Sequence, residues 1–144
     1  MKWDRGLTLL ELLITVIILG ILATFAIPGF GKMVERSRVK DAQTTLNMIF
    51  QAERIYRLDQ TPPTYGNLAD LYPPLGQYLP GNPNNANWNF TVTIPTPPAA
   101  TFTATATRNS GTWNGNTISL NETFTGTDSD GDGFIYQGTH PLRN

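Results

Sequence analysis

Between Leu7 and Ile27 the chain reads LTLLELLITVIILGILATFAI, twenty-one residues with a single charge, Glu11. As a helix rising about 1.5 Å per residue, that run reaches across a hydrocarbon layer of roughly 30 Å. A chain of 144 residues then has enough left for one small domain. Lys2 and Arg5 precede the run and place the N-terminus in the cytoplasm by the positive-inside tendency. Basic residues from Lys32 to Lys40 flank its other end and pull the opposite way. A secretory signal has its small-residue cleavage site after the apolar region. Here Pro28, Gly29 and Phe30 follow instead, so the run is expected to be retained, and the small residue, Gly6, stands before it.

Glu11 is the residue out of place. A charge at the centre of an apolar span costs about 2.5–3.5 kcal/mol on insertion scales. Two readings follow. Glu11 sits one turn into the helix and reaches the headgroups, or it waits for a positive partner supplied by an assembly. If the chain were cut after Gly6, Leu7 would bear a free amine four residues before Glu11. In a staggered stack of parallel helices, one copy's amine would neutralise the next copy's carboxylate and fix the register, because a slip leaves a charge buried alone.

The string Gly6-Leu7-Thr8-Leu9-Leu10-Glu11, with the apolar run and Pro28 behind it, resembles the class III signal of type IV prepilins and of type II secretion pseudopilins. The resemblance implies that a prepilin peptidase cuts after Gly6 and methylates Leu7, and that Glu11 acts in assembly. It also implies a bend at Pro28, local loss of helix between Gly20 and Pro28 once helices pack in a filament, and calcium bound in a C-terminal loop. Leu7 departs from the phenylalanine usual in that family. The partners implied are further copies of the chain, the peptidase, an inner-membrane assembly platform and, before assembly, the membrane itself. The expected location is the inner membrane, single-pass, and afterwards a periplasmic or extracellular filament.

The helical pattern continues past Pro28. Val39, Ala42, Leu46, Ile49, Glu53 and Tyr56 recur at spacings of three and four, with Phe50 and Ile55 beside them, while Lys40, Asp41, Gln43, Asn47 and Arg54 fall on other faces. This predicts an amphipathic helix, ended by Thr61-Pro62-Pro63 because the residue before proline avoids the α region. Leu7 to Asp59 then forms one helix of 53 residues, about 80 Å long. That is too long to be buried in a domain this small, so its apolar half must project. The expected segments are a leader over 1–6, an apolar membrane or filament-core helix over 7–33, an amphipathic half over 34–60 and a globular β-domain over 61–144.

Within that domain, residues 61–88 form a Pro- and Asn-rich connection with a helical turn near Asn67–Tyr72. Its Tyr65, Leu68, Leu71, Tyr72, Leu75, Tyr78 and Leu79 are expected to cap the core. Asn89–Ile94, Thr101–Thr107 and Thr117–Asn121 alternate apolar and polar residues with period two, and Phe134–Tyr136 adds a short edge strand. Such alternation marks a half-buried antiparallel sheet. The fold class expected is α+β and pilin-like, with one long helix packed on a small antiparallel sheet. With no cysteine in the chain, no disulfide fastens its loops.

Asp128-Ser129-Asp130-Gly131-Asp132-Gly133 matches D-x-D-x-D-G, the first half of an EF-hand-like calcium loop. The position that supplies a backbone carbonyl is Phe134. The closing glutamate is missing, since Thr139 stands there, and Glu122 is the acid nearest in sequence. A solvated acidic turn is the plain alternative.

Net charge is −1, with eight Lys/Arg against six Asp/Glu in residues 1–60 and two against five in 61–144. Only Arg108 and Arg143 are basic in the C-terminal domain, too few for useful phosphate contact, so no nucleic acid is expected. One histidine, His140, and no cysteine leave no zinc centre or nucleophile motif. The expectation is a structural filament subunit and not an enzyme. The alternatives are a minor or competence pilin that binds DNA or a surface, and a monomeric calcium-binding membrane protein. Millimolar calcium should raise the melting temperature of the domain from about residue 34 onward by several degrees over EGTA or magnesium, since a ligand at about a hundredfold excess over Kd adds about 2.7 kcal/mol. Asp130→Ala and Asp132→Ala should abolish the rise; identical curves in all three conditions would leave the loop a solvated turn.

Overall fold

The computed structural model describes residues 8–95, 101–123 and 133–138, without the side chains of 25–29. The chain divides into two compact units, Met1–Arg36 and Ser37–Asn144. Helix α1 spans Leu9–Asp59, 51 residues. It starts where the sequence supplies a cap. The Glu11 N–H donates to Thr8 Oγ1 at 3.2 Å and the Leu12 N–H to Thr8 O at 3.2 Å, so Thr8 satisfies amides that a helix start leaves unpaired.

In the first unit the large apolar side chains face outward: Leu9 is 84 % exposed, and Leu13, Ile17 and Leu22 are exposed like their neighbours. Nothing within this unit covers them. Leu9 to Leu22 thus form a helix surface that is apolar all round, the state of a helix that belongs in lipid or among other helices.

In the second unit α1 is amphipathic. Val39, Ala42, Leu46 and Ile49 are fully buried, one stripe with the spacing the sequence shows. They join the sheet residues in a single core. The sheet is an antiparallel meander: β1 (Trp88–Thr93), β2 (Thr103–Arg108), β3 (Thr117–Asn121) and β4 (Ile135–Gln137), in the spatial order β1-β2-β3-β4. Its inner face is built in rows. Phe90 pairs with Ala106, Ala106 with Ile118 and Ile118 with Tyr136, while Val92, Ala104 and Leu120 form the next row. Large side chains on the outer strands thus flank two fully buried alanines on β2, and the shallow floor leaves room for the side chains of α1. Phe102, just before β2, is buried between Phe50 (ring centroids 6.0 Å apart) and Tyr65 (4.8 Å).

Polar contacts fasten the long connection from α1 to β1. Tyr65 OH accepts from Arg57 Nη1 at 3.0 Å, and Tyr78 OH donates to Asp59 Oδ2 at 2.9 Å. The short helix α2 (Leu68–Leu71) ends with Leu71 O accepting both the Tyr78 and the Leu79 N–H. Before β1, Asn85 Oδ1 accepts the N–H groups of Asn87 and Trp88, each at 2.9 Å. Such side-chain turns do what a disulfide would otherwise do.

Two members of the expected helix and loop set lie outside the core. Leu75 is 73 % and Ile55 51 % exposed. Leu75 sits in the turn after α2, and Ile55 lies on the solvent side of α1 next to the stripe rather than in it. Gln43, expected on another face, is buried and hydrogen-bonded to Tyr136 OH. Leu46→Ala should cost about 2–5 kcal/mol, and Ala106→Leu about 1–3 kcal/mol through overpacking. Thr91→Val, on the exposed face, should stay within about 0.5 kcal/mol. Chemical denaturation of the three variants checks this ordering.

Candidate assembly segment and metal-binding loop

Gly6 and Leu7 lie outside the described residues. Glu11, the assembly candidate, is the third residue of α1 and is exposed. An acid in the first turn complements the positive end of the helix dipole. Thr8-x-x-Glu11 also has the capping-box spacing. Glu11 therefore has a role within its own chain that the sequence reading did not assign, although the spacing was there to find.

Gly20 is exposed, and a methyl group added there would meet no atom within 4 Å. Its carbonyl accepts the Thr24 hydroxyl at 2.9 Å, a back-bond that competes weakly with the helix ladder. Pro28 lies within α1. The loss of helix expected between Gly20 and Pro28 in packed filaments is not present in the single chain, where α1 runs unbroken through both residues. Among the described residues no helix is long and apolar enough to cross a membrane. The run expected from sequence, Leu7 to Ile27, extends past those side chains at both ends.

Of the metal candidates, Asp128, Asp130 and Asp132 lie outside the described residues. Glu122 and Phe134 stand at the two feet of the β3–β4 connection, beyond the last pair, Ser119 with Ile135. Gly133 has φ +85°, the left-handed conformation that a turn glycine supplies at this position of a calcium loop. The glycine fits the pattern, while strands stand where an EF-hand has helices. Phe134 is buried, which anchors one foot. Glu122 lines an open groove with Phe50, Arg54, Arg57, Pro63 and Tyr65. No group of three metal-ligating side chains occurs among the described residues.

Arg108, one of the two basic residues of the C-terminal domain, is not a surface cation. Arg108 is 2 % exposed. Its Nη1 donates to Asn87 O at 2.7 Å, and its guanidinium lies 5.6 Å from the Trp88 ring centroid. It locks the start of β1 to the end of β2. Position 108 continues the inward series 102, 104, 106, a parity that reveals its burial. Arg143 lies outside the described residues. Glu53, like Glu35, is also a buried charged residue, fully covered on the α1 stripe. Burial pushes its carboxyl from 4.5 up to about 7, against the Gly66 N–H that favours the anion and with Asp70 adding to the rise.

An apolar helix surface from Leu9 to Leu22, with an amphipathic continuation that packs on a four-stranded meander, makes an α+β, pilin-like fold. Residues 4–27 match the pattern described as the prokaryotic N-terminal methylation motif. The chain is 45 % identical over 53 residues to the type IV major pilin protein PilA of Myxococcus xanthus, 37 % of this chain and 24 % of that protein. It is 32 % identical over 94 residues to the type II secretion system core protein G of Vibrio cholerae, 61 % and 58 % of the two chains. Against the core protein G of Pseudomonas aeruginosa it is 30 % identical over 87 residues, 60 % of each chain. The chain thus spans a quarter to three-fifths of the length of these relatives. No solved structure matches it. Motif, fold and relatives together make the chain similar to the type IV pilins and the type II secretion pseudopilins.

Proposed function

We propose that this chain is a structural subunit, cut after Gly6 and methylated at Leu7, that polymerises through its N-terminal helix into a filament. The observation that supports this most is the helix surface from Leu9 to Leu22, exposed on all sides and carrying a single charge, Glu11. Left in water, each buried-size aliphatic side chain forfeits about 1.5–3 kcal/mol. A membrane covers that surface before assembly, with the leader in the cytoplasm, and a bundle of identical helices covers it afterwards. In the bundle, Glu11 of one copy pairs with the Leu7 amine of the next.

Of the two filament types, a type II secretion pseudopilus is the first reading. The matches to core protein G run for 94 and 87 residues. They are longer than everything up to the end of α1 at Asp59 and so must include part of the globular domain. The pilin match, at 53 residues, needs no such extension. A DNA-binding minor pilin loses its described cation with the burial of Arg108. Calcium held by Asp128, Asp130 and Asp132, with the Phe134 carbonyl and Glu122 as further ligands, is part of the proposal. Its role is structural, to offset carboxylate repulsion and tie the C-terminal segment to the β3–β4 hairpin.

Mass spectrometry of assembled material should show an N-terminal peptide that starts at methylated Leu7, and Gly6→Ala should retain the leader and abolish assembly. Glu11→Leu should enter the membrane at least as well as the parent yet yield little or no filament. An intact Met1 in filaments, or full filament yield from Glu11→Leu, would refute the processing and pairing steps respectively.

A further inference from the structure

Glu53 takes no part in the proposed assembly or metal chemistry, yet its surroundings are unusual. Its side chain is fully buried on the inner stripe of α1. Oε2 accepts the Gly66 N–H at 3.0 Å, while Oε1 has no hydrogen-bond partner among the described residues. Gly66 has no room to slide. A methyl group there would come within 3.0 Å of the Tyr56 ring and 3.2 Å of Asp70 Cβ. The one bond therefore joins α1 to the connection at a point where the two backbones are held close.

A buried carboxylate needs several donors or a cation, and a single N–H meets neither need. The titratable groups that bear on Glu53 are Asp70, on α2, and Tyr56, three residues further along α1. Asp70 repels the anion. The phenol of Tyr56 is itself pushed above its ordinary range, first by burial and then by Asp70 and Glu53. We infer that Glu53 is a pH-sensitive latch which, neutral, holds the segment from Tyr65 through α2 onto α1 and, ionised, loosens it. The geometry alone favours the neutral acid, and the rise from 4.5 to about 7 agrees with it.

The direction follows from linkage. The folded state holds the proton more tightly than the unfolded chain. The stability contributed is therefore complete below about 4.5, falls as pH rises, and is gone once pH passes about 7. Tyr65 and Pro63, at the near end of the latched segment, line the groove that holds Arg54, Arg57 and Glu122, so release of the latch alters that groove.

The test uses the full chain in detergent micelles and needs no filament. Carboxyl carbon NMR should give Glu53 a titration midpoint near neutrality. Amide exchange, corrected for its intrinsic rate, should show protection at Gly66, Tyr78 and Leu79 falling tenfold or more between about pH 5 and pH 8, since each unit of pKa difference is about tenfold. Glu53→Gln should remove that dependence and keep protection high at the alkaline end. Asp70→Asn should lower the midpoint while leaving the Gly66 bond in place. A midpoint in the ordinary glutamate range, or the same pH dependence in Glu53→Gln as in the parent, would overturn the latch. If Glu53→Gln does not fold, the parent's titration and Asp70→Asn decide alone.

Discussion

One helix has to satisfy two surroundings. From Val39 to Glu53, α1 buries a stripe against its own sheet, and that contact gives the domain its core. From Leu9 to Leu22 the same helix has no cover within its unit. The hydrophobic effect acts on both parts alike. In the first it is satisfied inside the chain, and in the second only outside it. On the proposed reading, lipid or further copies would supply that cover.

A domain of this size without cysteine has to hold its long connection by other means. Individually, the contacts at Arg57–Tyr65, Asp59–Tyr78 and Glu53–Gly66 are modest, about 0.5–1.5 kcal/mol for a neutral bond and more where a charge takes part. Together they attach residues 60–79 to the last two turns of α1. Arg108 does the same for the asparagine-rich entry to β1. The buried polar groups of this protein are thus fasteners placed where the chain has the least apolar surface to bury.

Most of the architecture was legible because period alone determines it. Positions 39, 42, 46 and 49 show the helix stripe, and 90, 104, 106, 118 and 120 show the sheet face. Strand ends moved by one or two residues: β1 begins at Trp88 and β2 runs on to Arg108, where Asx turns and an inward arginine set the boundary rather than apolar alternation. What composition hid was the polar interior. Gln43, Glu53 and Arg108 look like surface residues by type, and only the partners opposite, Tyr136, Gly66 and Asn87, make their burial tolerable. Those partners lie 13 to 93 residues away, beyond what local pattern reaches. In the assembly segment the Gly6–Glu11 signal was plain, but the Thr8 cap went unread because the acid had already been given a role between chains.

Among the described residues, the order β1-β2-β3-β4 leaves β1 and β4 as the edges of the sheet. An open edge is a template for another strand, a hazard for any chain kept at high local concentration beside its own copies. Here one edge, β4, is only three residues long. The other, β1, runs out two residues before Pro95, and proline cannot extend a hydrogen-bonded ladder. Strand addition is thereby starved at both borders. A second strand meeting this sheet would find one edge of three residues and another stopped by proline.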